Sequence, residues 1–79
     1  MPRKRKQPNP LDRIEQDPKI MVGKPVIRGT RITVELILDK IAADVSIDEI
    51  LTDYPHLSRE DVLASVAYAR SLLPSKRRA

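Results

Sequence analysis

The N-terminal half of the chain is organised by one stretch, Gly23-Lys24-Pro25-Val26-Ile27-Arg28-Gly29-Thr30-Arg31-Ile32. It holds both glycines of the sequence, and it carries three positive charges and no negative charge. Glycine adopts a positive φ without steric cost, so a tight turn is predicted at Arg28-Gly29-Thr30. The flanking pairs, Val26-Ile27 and Arg31-Ile32, are predicted to be the two short strands of a β-hairpin.

Two further residues of this stretch have conformational meaning. Pro25 has no amide proton to donate, which places it at the start or on the edge of a strand, and Gly23 marks another turn. Lys24, Arg28 and Arg31 then share one small hairpin at the edge of a helical domain. Two interpretations of these cations stay open: a surface that binds a polyanion, or a structural corner whose cations pair with nearby acids.

Three helix starts follow the hairpin, each with an apolar residue, a Ser or Thr, and a later apolar residue. The predicted caps are Thr33, Ser46 and Ser58, with Glu49 and Asp61 completing capping boxes at the second and third helices. The predicted helices are 34–44, 47–53 and 59–73. This capping role also accounts for the paired acids without any catalytic function.

Apolar periodicity indicates which face of each helix is buried. The stripe of helix one is Val34, Ile37, Leu38, Ile41 and Val45. The stripe of helix three is Val62, Val66, Ala69 and Leu73, with Leu63 and Ala67 beside it. The small residues Ala64, Ala67 and Ala69 allow close helix approach, which fits either core packing or the seam of a dimer.

A hairpin followed by three short helices predicts a mainly α fold, a short N-terminal β-hairpin plus a three-helix helix-turn-helix domain of winged-helix or homeodomain-like type. The segments 46–51 and 57–62 resemble the second and third helices of homeodomain-like DNA-binding domains. Helix three opens with Arg59 followed by two acids, which disfavour contact with phosphate. The side chains left there for reading DNA are Arg59, Ser65 and Arg70.

Charge is distributed unevenly along the chain. Residues 1–10 carry Arg3, Lys4, Arg5 and Lys6 and no acid, and residues 74–79 carry three further cations. Residues 11–73 have eight basic and eleven acidic side chains, a net charge of −3. We therefore expect a disordered basic tail at 1–11, a folded domain at 12–73 and a basic C-terminal tail at 74–79. Basic tails attract nucleic acids through counterion release, or they simply solubilise the chain.

Composition excludes several classes of protein. The 79 residues contain no cysteine and a single histidine, His56, so neither a metal site nor a catalytic triad is expected, and the chain is predicted not to be an enzyme. No apolar run approaches the ~18 residues of a membrane span. The basic start is not followed by the apolar segment of a signal peptide, so none is expected. We expect a cytoplasmic protein without cofactors. A domain this small, without cross-links, is expected to gain stability as a homodimer or with a partner protein.

The stretch 23–32, together with Asp53-Tyr54-Pro55, Leu57, Asp61-Val62 and Ala67-Tyr68-Ala69, resembles a small bacterial family, Domain of Unknown Function 433. The resemblance implies an antitoxin of VapB type with a winged-helix or homeodomain-like fold. It also implies a partner, a toxin of the PIN-domain ribonuclease class, and binding of the antitoxin to its own promoter. Thr33 stands where proline is common in the family, and the basic tails lie outside the family core.

Two functional hypotheses follow. The first is a non-enzymatic antitoxin that binds duplex DNA as a dimer and neutralises a PIN-domain ribonuclease. Its expected DNA-contacting residues are Lys24, Arg28, Arg31, Arg59, Ser65, Arg3, Lys4, Arg5 and Lys6. The second is a protein-interaction module without DNA binding, which the acidic start of helix three favours.

Overall fold

A computed structural model describes residues 9–74 of the chain. The elements in chain order are a 3₁₀ turn (Pro10–Arg13), β1 (Ile14–Glu15), a second short turn (Met21–Gly23), β2 (Val26–Ile27), α1 (Val34–Ala42), α2 (Ile47–Asp53) and α3 (Arg59–Ser71). The predicted fold class is confirmed: three helices follow a short antiparallel hairpin.

The strand pairing differs from the predicted hairpin. β2 pairs antiparallel with β1, in the register Ile14 opposite Ile27 and Glu15 opposite Val26. The predicted second strand, Arg31-Ile32, is wrong as a strand, although Ile27 N–H donates to the Ile32 carbonyl at 2.9 Å. On that side of β2 only an isolated antiparallel bridge forms, Val26 opposite Thr33, and the paired strand is supplied by the N-terminal segment 14–15.

All three predicted helix caps are confirmed. The Thr33 side chain accepts a hydrogen bond from Leu36 N–H, and Ser46 and Ser58 each form a complete capping box. α2 has the predicted bounds, whereas α1 and α3 both end two residues early. α1 ends there because Asp44 has φ +68°, a left-handed conformation that cannot continue the helix.

The hydrophobic core joins the hairpin to all three helices. Its buried cluster is Ile27, Ile37, Ile50, Leu57 and Val62. The predicted stripe of α1 is confirmed at Val34 and Ile37. The predicted stripe of α3 is wrong at Val66 and Leu73, which are exposed, because α3 turns Val62, Ala64 and Ser65 inward toward α1 and the 3₁₀ turn.

The N-terminal boundary of the domain also differs from the predicted one. Residues 10 and 11, assigned above to a disordered tail, belong to the 3₁₀ turn, which Asn9 caps by accepting a hydrogen bond from Leu11 N–H. This turn packs against α3. The predictions for residues 1–8 and 75–79, including Arg3, Lys4, Arg5 and Lys6, lie outside the described residues and stay predictions.

The two capping-box acids have different surroundings, which predicts different costs for their loss. Asp61 caps Ser58 N–H and also binds Arg13 at 3.0 Å, whereas Glu49 caps Ser46 N–H only. Glu49→Ala is expected to lower the free energy of unfolding by about 0.5–1 kcal/mol and Asp61→Ala by about 1–3 kcal/mol. Urea unfolding followed by circular dichroism measures both. Equal losses would show that the ion pair between Asp61 and Arg13 adds nothing to stability.

Candidate nucleic-acid interface

The turn after β2 is closed by hydrogen bonds from its own residues. Thr30 N–H donates to the Ile27 carbonyl at 2.9 Å, and the Thr30 hydroxyl donates to the same oxygen at 2.8 Å. Ile32 N–H donates back to the Thr30 hydroxyl at 3.0 Å. Gly29 has φ +82°, which confirms the predicted positive φ. The turn therefore presents Arg28 and Arg31 from a defined backbone.

Arg28 is held at its inner end and exposed at its outer end. Its backbone N–H donates to the Arg13 carbonyl, and its Nε donates to the Asp12 carbonyl, both at 2.8 Å. Neither contact neutralises the guanidinium, because both acceptors are carbonyl oxygens of the backbone. The terminal nitrogens remain able to donate to an anion such as phosphate.

Lys24 and Arg31 differ in how far their charge is compensated. Lys24 Nζ pairs with Glu35 Oε1 at 3.2 Å, and both side chains are more than half exposed, so the pair is weak. Arg31 is exposed and has no ion pair with any residue in 9–74. It lines a shallow depression of about 500 Å³ with Ile20, Gly29 and Thr30. Arg31, like Arg28, therefore keeps a charge that no acid in residues 9–74 compensates, whereas Lys24 does not.

Arg13 is a further cation of this surface that the sequence does not single out. The reason is that Asp12 precedes it and cancels its charge locally. Arg13 joins the hairpin to α3: its carbonyl accepts from Arg28 N–H, and its guanidinium binds Asp61 at 3.0 Å. The contact is a structural brace, since the carboxylate is largely buried and also caps the helix. Only tertiary packing brings residues 13, 28 and 61 together.

The structure places the predicted DNA-contacting residues of α3 in different surroundings. Ser65 was predicted to contact bases, and this prediction is wrong because Ser65 is 0% exposed and donates its hydroxyl proton to the Asp61 carbonyl. Arg59 is exposed at the first residue of the helix, next to Glu60. The outer face of α3 presents Leu63 and Val66, which are apolar. Of the three α3 side chains predicted to read DNA, Arg59 and Arg70 are therefore exposed at opposite ends of the helix, and the surface between them is apolar.

Gly23 ends the second turn. It has a left-handed backbone conformation, and so do the two residues before it. The φ values are +49° for Met21, +48° for Val22 and +83° for Gly23. A positive φ is strained for a β-branched residue such as Val22, and this side chain is 86% exposed. Pro25 lies directly before β2, as predicted, and its carbonyl accepts from Val34 N–H at 3.0 Å.

Residues 9–74 contain no group of three His, Cys, Asp or Glu side chains placed to hold a metal ion. His56 is exposed in the turn between α2 and α3. In the same part of the chain, no helix has the length and apolar character needed to cross a membrane.

The described elements define a class of protein, a small helix-turn-helix domain preceded by a β-hairpin and then by a cationic turn. The family model described as "Protein of unknown function (DUF433)" matches residues 14–69, and the chain belongs to this family. The matched span runs from β1 to near the end of α3 and so includes the cationic turn.

A similar curated protein is the uncharacterized protein y4eO of Sinorhizobium fredii. It is 35% identical over 58 residues, which are 73% of this chain and 26% of the relative. The chain therefore spans about a quarter of the length of the relative it matches. A comparison with solved structures finds no match.

The conformation of Gly29 makes a testable prediction. A Cβ atom at this position would meet no other atom within 4 Å, so substitution there has only a backbone cost. Gly29→Val is expected to lower the free energy of unfolding by about 1–2 kcal/mol, because a β-branched residue is strained at positive φ. Thermal unfolding by calorimetry measures the loss.

Gly29→Asn is the matched control, since asparagine tolerates left-handed backbone better than other side chains. It is expected to lose clearly less stability than Gly29→Val. A valine variant as stable as the asparagine variant would contradict the positive φ of the turn.

Proposed function

We propose that this chain is a non-enzymatic, DNA-binding antitoxin that acts in the cytoplasm, represses its own promoter and neutralises a PIN-domain ribonuclease. The observation that carries the DNA-binding part is the turn 28–31, where two exposed arginines flank a glycine on a hydrogen-bonded backbone. The antitoxin part rests on the family resemblance.

Charge distribution supports the turn as the contact surface. Residues 18–32 contain Lys19, Lys24, Arg28 and Arg31 and no acid, whereas residues 33–61 contain eight acids and two cations. A phosphate backbone is attracted to the first region and repelled by the second. DNA is therefore expected to approach the hairpin end of the domain, with the basic residues 3–6 adding contacts that do not depend on sequence.

This mode of binding differs from that of a helix-turn-helix domain that reads DNA with its third helix. After Arg59 the first turn of α3 carries two acids, and the helix buries Ser65 and exposes Leu63 and Val66. We therefore expect the turn 28–31 to take the main role in contacting DNA, with more contacts to phosphate than to bases.

A protein-interaction module without DNA binding is the second candidate. The exposed apolar side chains of α3 favour it, because large apolar residues at a surface often mark a protein interface. The two candidates differ in one measurable property, the affinity for duplex DNA at low salt.

Fluorescence anisotropy with the chain's own promoter and with random duplex tests the proposal. Arg28→Ala and Arg31→Ala are each expected to weaken binding on both duplexes and to lower the slope of log affinity against log salt by about one unit. If either arginine contacts guanine, its removal is instead expected to cost about 1–3 kcal/mol of binding free energy, and only on sites that contain that guanine.

Two lysines serve as controls of matched charge. Lys24→Ala is expected to weaken binding less than Arg31→Ala, because Lys24 already pairs with Glu35. Lys40→Ala, on the acidic helical side where Lys40 lies over the Tyr54 ring, is expected to leave affinity unchanged. No binding by the wild-type chain to either duplex would refute the DNA part and favour the interaction module.

The antitoxin part is tested by purifying the tagged full chain from its host at low salt, with and without nuclease treatment. A stoichiometric PIN-domain ribonuclease that stays bound after treatment, and whose RNA cleavage the purified chain inhibits, is the expected result. A variant without residues 1–8 and 75–79 then shows whether the tails are needed to inhibit the ribonuclease. A ribonuclease activity that is the same with and without the full chain would refute the antitoxin proposal.

A further inference from the structure

The loop between β1 and β2 carries an exposed apolar tip, which consists of Met21 and Val22. The Val22 side chain is 86% exposed and that of Met21 is 39% exposed. Among the large apolar side chains of residues 9–74, that of Val22 is the most exposed. Packing within the described domain therefore gives no reason for an apolar residue at this position.

The backbone of the apolar tip has a conformation that valine does not favour. Val22 has φ +48° and ψ +39°, in the left-handed region, where a β-branched residue is a steric outlier. The exposed side chain recovers little of this cost through contacts inside the domain. Strained residues that the surrounding structure holds in place cluster at binding sites and clamps. A contact outside the domain is thus a reason to have valine here.

Hydrogen bonds on both sides hold the apolar tip in place. Gly23 N–H donates to the Ile20 carbonyl at 3.0 Å, and Lys24 N–H donates to the Met21 carbonyl at 3.1 Å. The side chain of Gln16 adds a further bond, from its Nε2 to the Gly23 carbonyl at 3.2 Å. The tip therefore projects into solvent from a fixed backbone.

The apolar tip belongs to the cationic end of the domain. Ile20, the residue before it, lines the same shallow depression as Arg31. Lys19 is exposed and forms no ion pair within residues 9–74. Residues 18–32 contain four cations and no acid. A phosphate backbone that is attracted to these cations therefore comes close to the tip.

The chemistry of DNA limits what an apolar side chain can contact on a duplex. Phosphate oxygens and most base-edge atoms are donors or acceptors of hydrogen bonds, and the valine side chain can bond to neither. The apolar group that base edges display is the C5-methyl group of thymine, which lies in the major groove. Thymine is therefore the base that suits an apolar residue held next to cations.

We propose that the apolar tip enters the major groove of duplex DNA and that Val22 contacts the methyl group of thymine. This inference rests on the proposed DNA binding and adds to it the base that is recognised. The arginines of the turn 28–31 contact phosphates and fix the position of the domain on the duplex. The valine supplies a preference for sequence that contacts to phosphate alone do not give.

Replacing every thymine of the promoter duplex by uracil removes only these methyl groups and so tests the contact directly. Fluorescence anisotropy at one salt concentration measures the affinity of the full chain for the two duplexes. The wild-type chain is expected to bind the uracil duplex about fourfold more weakly for each methyl group contacted. Val22→Gly is expected to bind both duplexes with the same affinity, because it has no side chain to contact the methyl group.

Two further variants serve as controls for this measurement. Val66→Ala removes apolar surface from an exposed residue of α3, and it is expected to keep the wild-type preference for thymine. Arg31→Ala is expected to weaken binding to both duplexes by the same factor, since both contain the same phosphates.

The stability of Val22→Gly tests whether the valine has a task in the fold. Glycine adopts a left-handed backbone without steric cost, so the variant is expected to unfold at a higher temperature than the wild type. Calorimetry measures this shift. A Val22→Gly chain that unfolds at a lower temperature would show that Val22 serves the fold, and it would overturn the inference.

The binding measurements separate failure of this inference from failure of the proposed function. Equal binding of the wild type to both duplexes would show that the apolar tip contacts no methyl group, while DNA binding itself would stand. A thymine preference that persists in Val22→Gly would belong to another residue and would also overturn the inference. No binding to either duplex would refute the proposed DNA binding and the inference with it.

Discussion

The structure depends on the burial of a two-residue strand. Val26 and Ile27 are 0% and 2% exposed, so β2 is part of the core although it is only two residues long. β1 pairs with it on one side. On the other side Ile27 N–H donates to the Ile32 carbonyl, and the carbonyl of Pro25, directly before β2, accepts from Val34 N–H. Hydrogen bonds on both sides and the burial of both side chains fix the position of β2. The turn that follows therefore starts from a fixed backbone.

The consequence for function is that the cationic turn is rigid at its base and exposed at its tip. Thr30 closes the backbone, Gly29 supplies the left-handed residue, and Arg28 is braced by carbonyls of the N-terminal segment. A guanidinium presented from such a base loses less conformational entropy on meeting an anion than one on a flexible tail. This is the physical basis of the proposal that DNA contacts the turn 28–31 in preference to α3.

Helix α3 has two faces with different tasks. Its inner face packs Val62 and Ser65 against the rest of the domain, and Asp61 at its start holds both the Ser58 cap and Arg13. Its outer face leaves Leu63 and Val66 in contact with solvent in the single chain.

Local sequence by itself determined the three helices, their Ser and Thr caps, and the left-handed glycine of the turn. These features depend on residues within four positions of one another, and the chemistry of capping and of positive φ is readable at that range. Tertiary structure alone decided the strand partner of β2, the inward turn of Ser65 and the outward turn of Val66. It also brought Arg13 between Arg28 and Asp61. Periodicity shows that a helix has an apolar side but cannot choose between two adjacent stripes, because that choice depends on which distant segment packs against it.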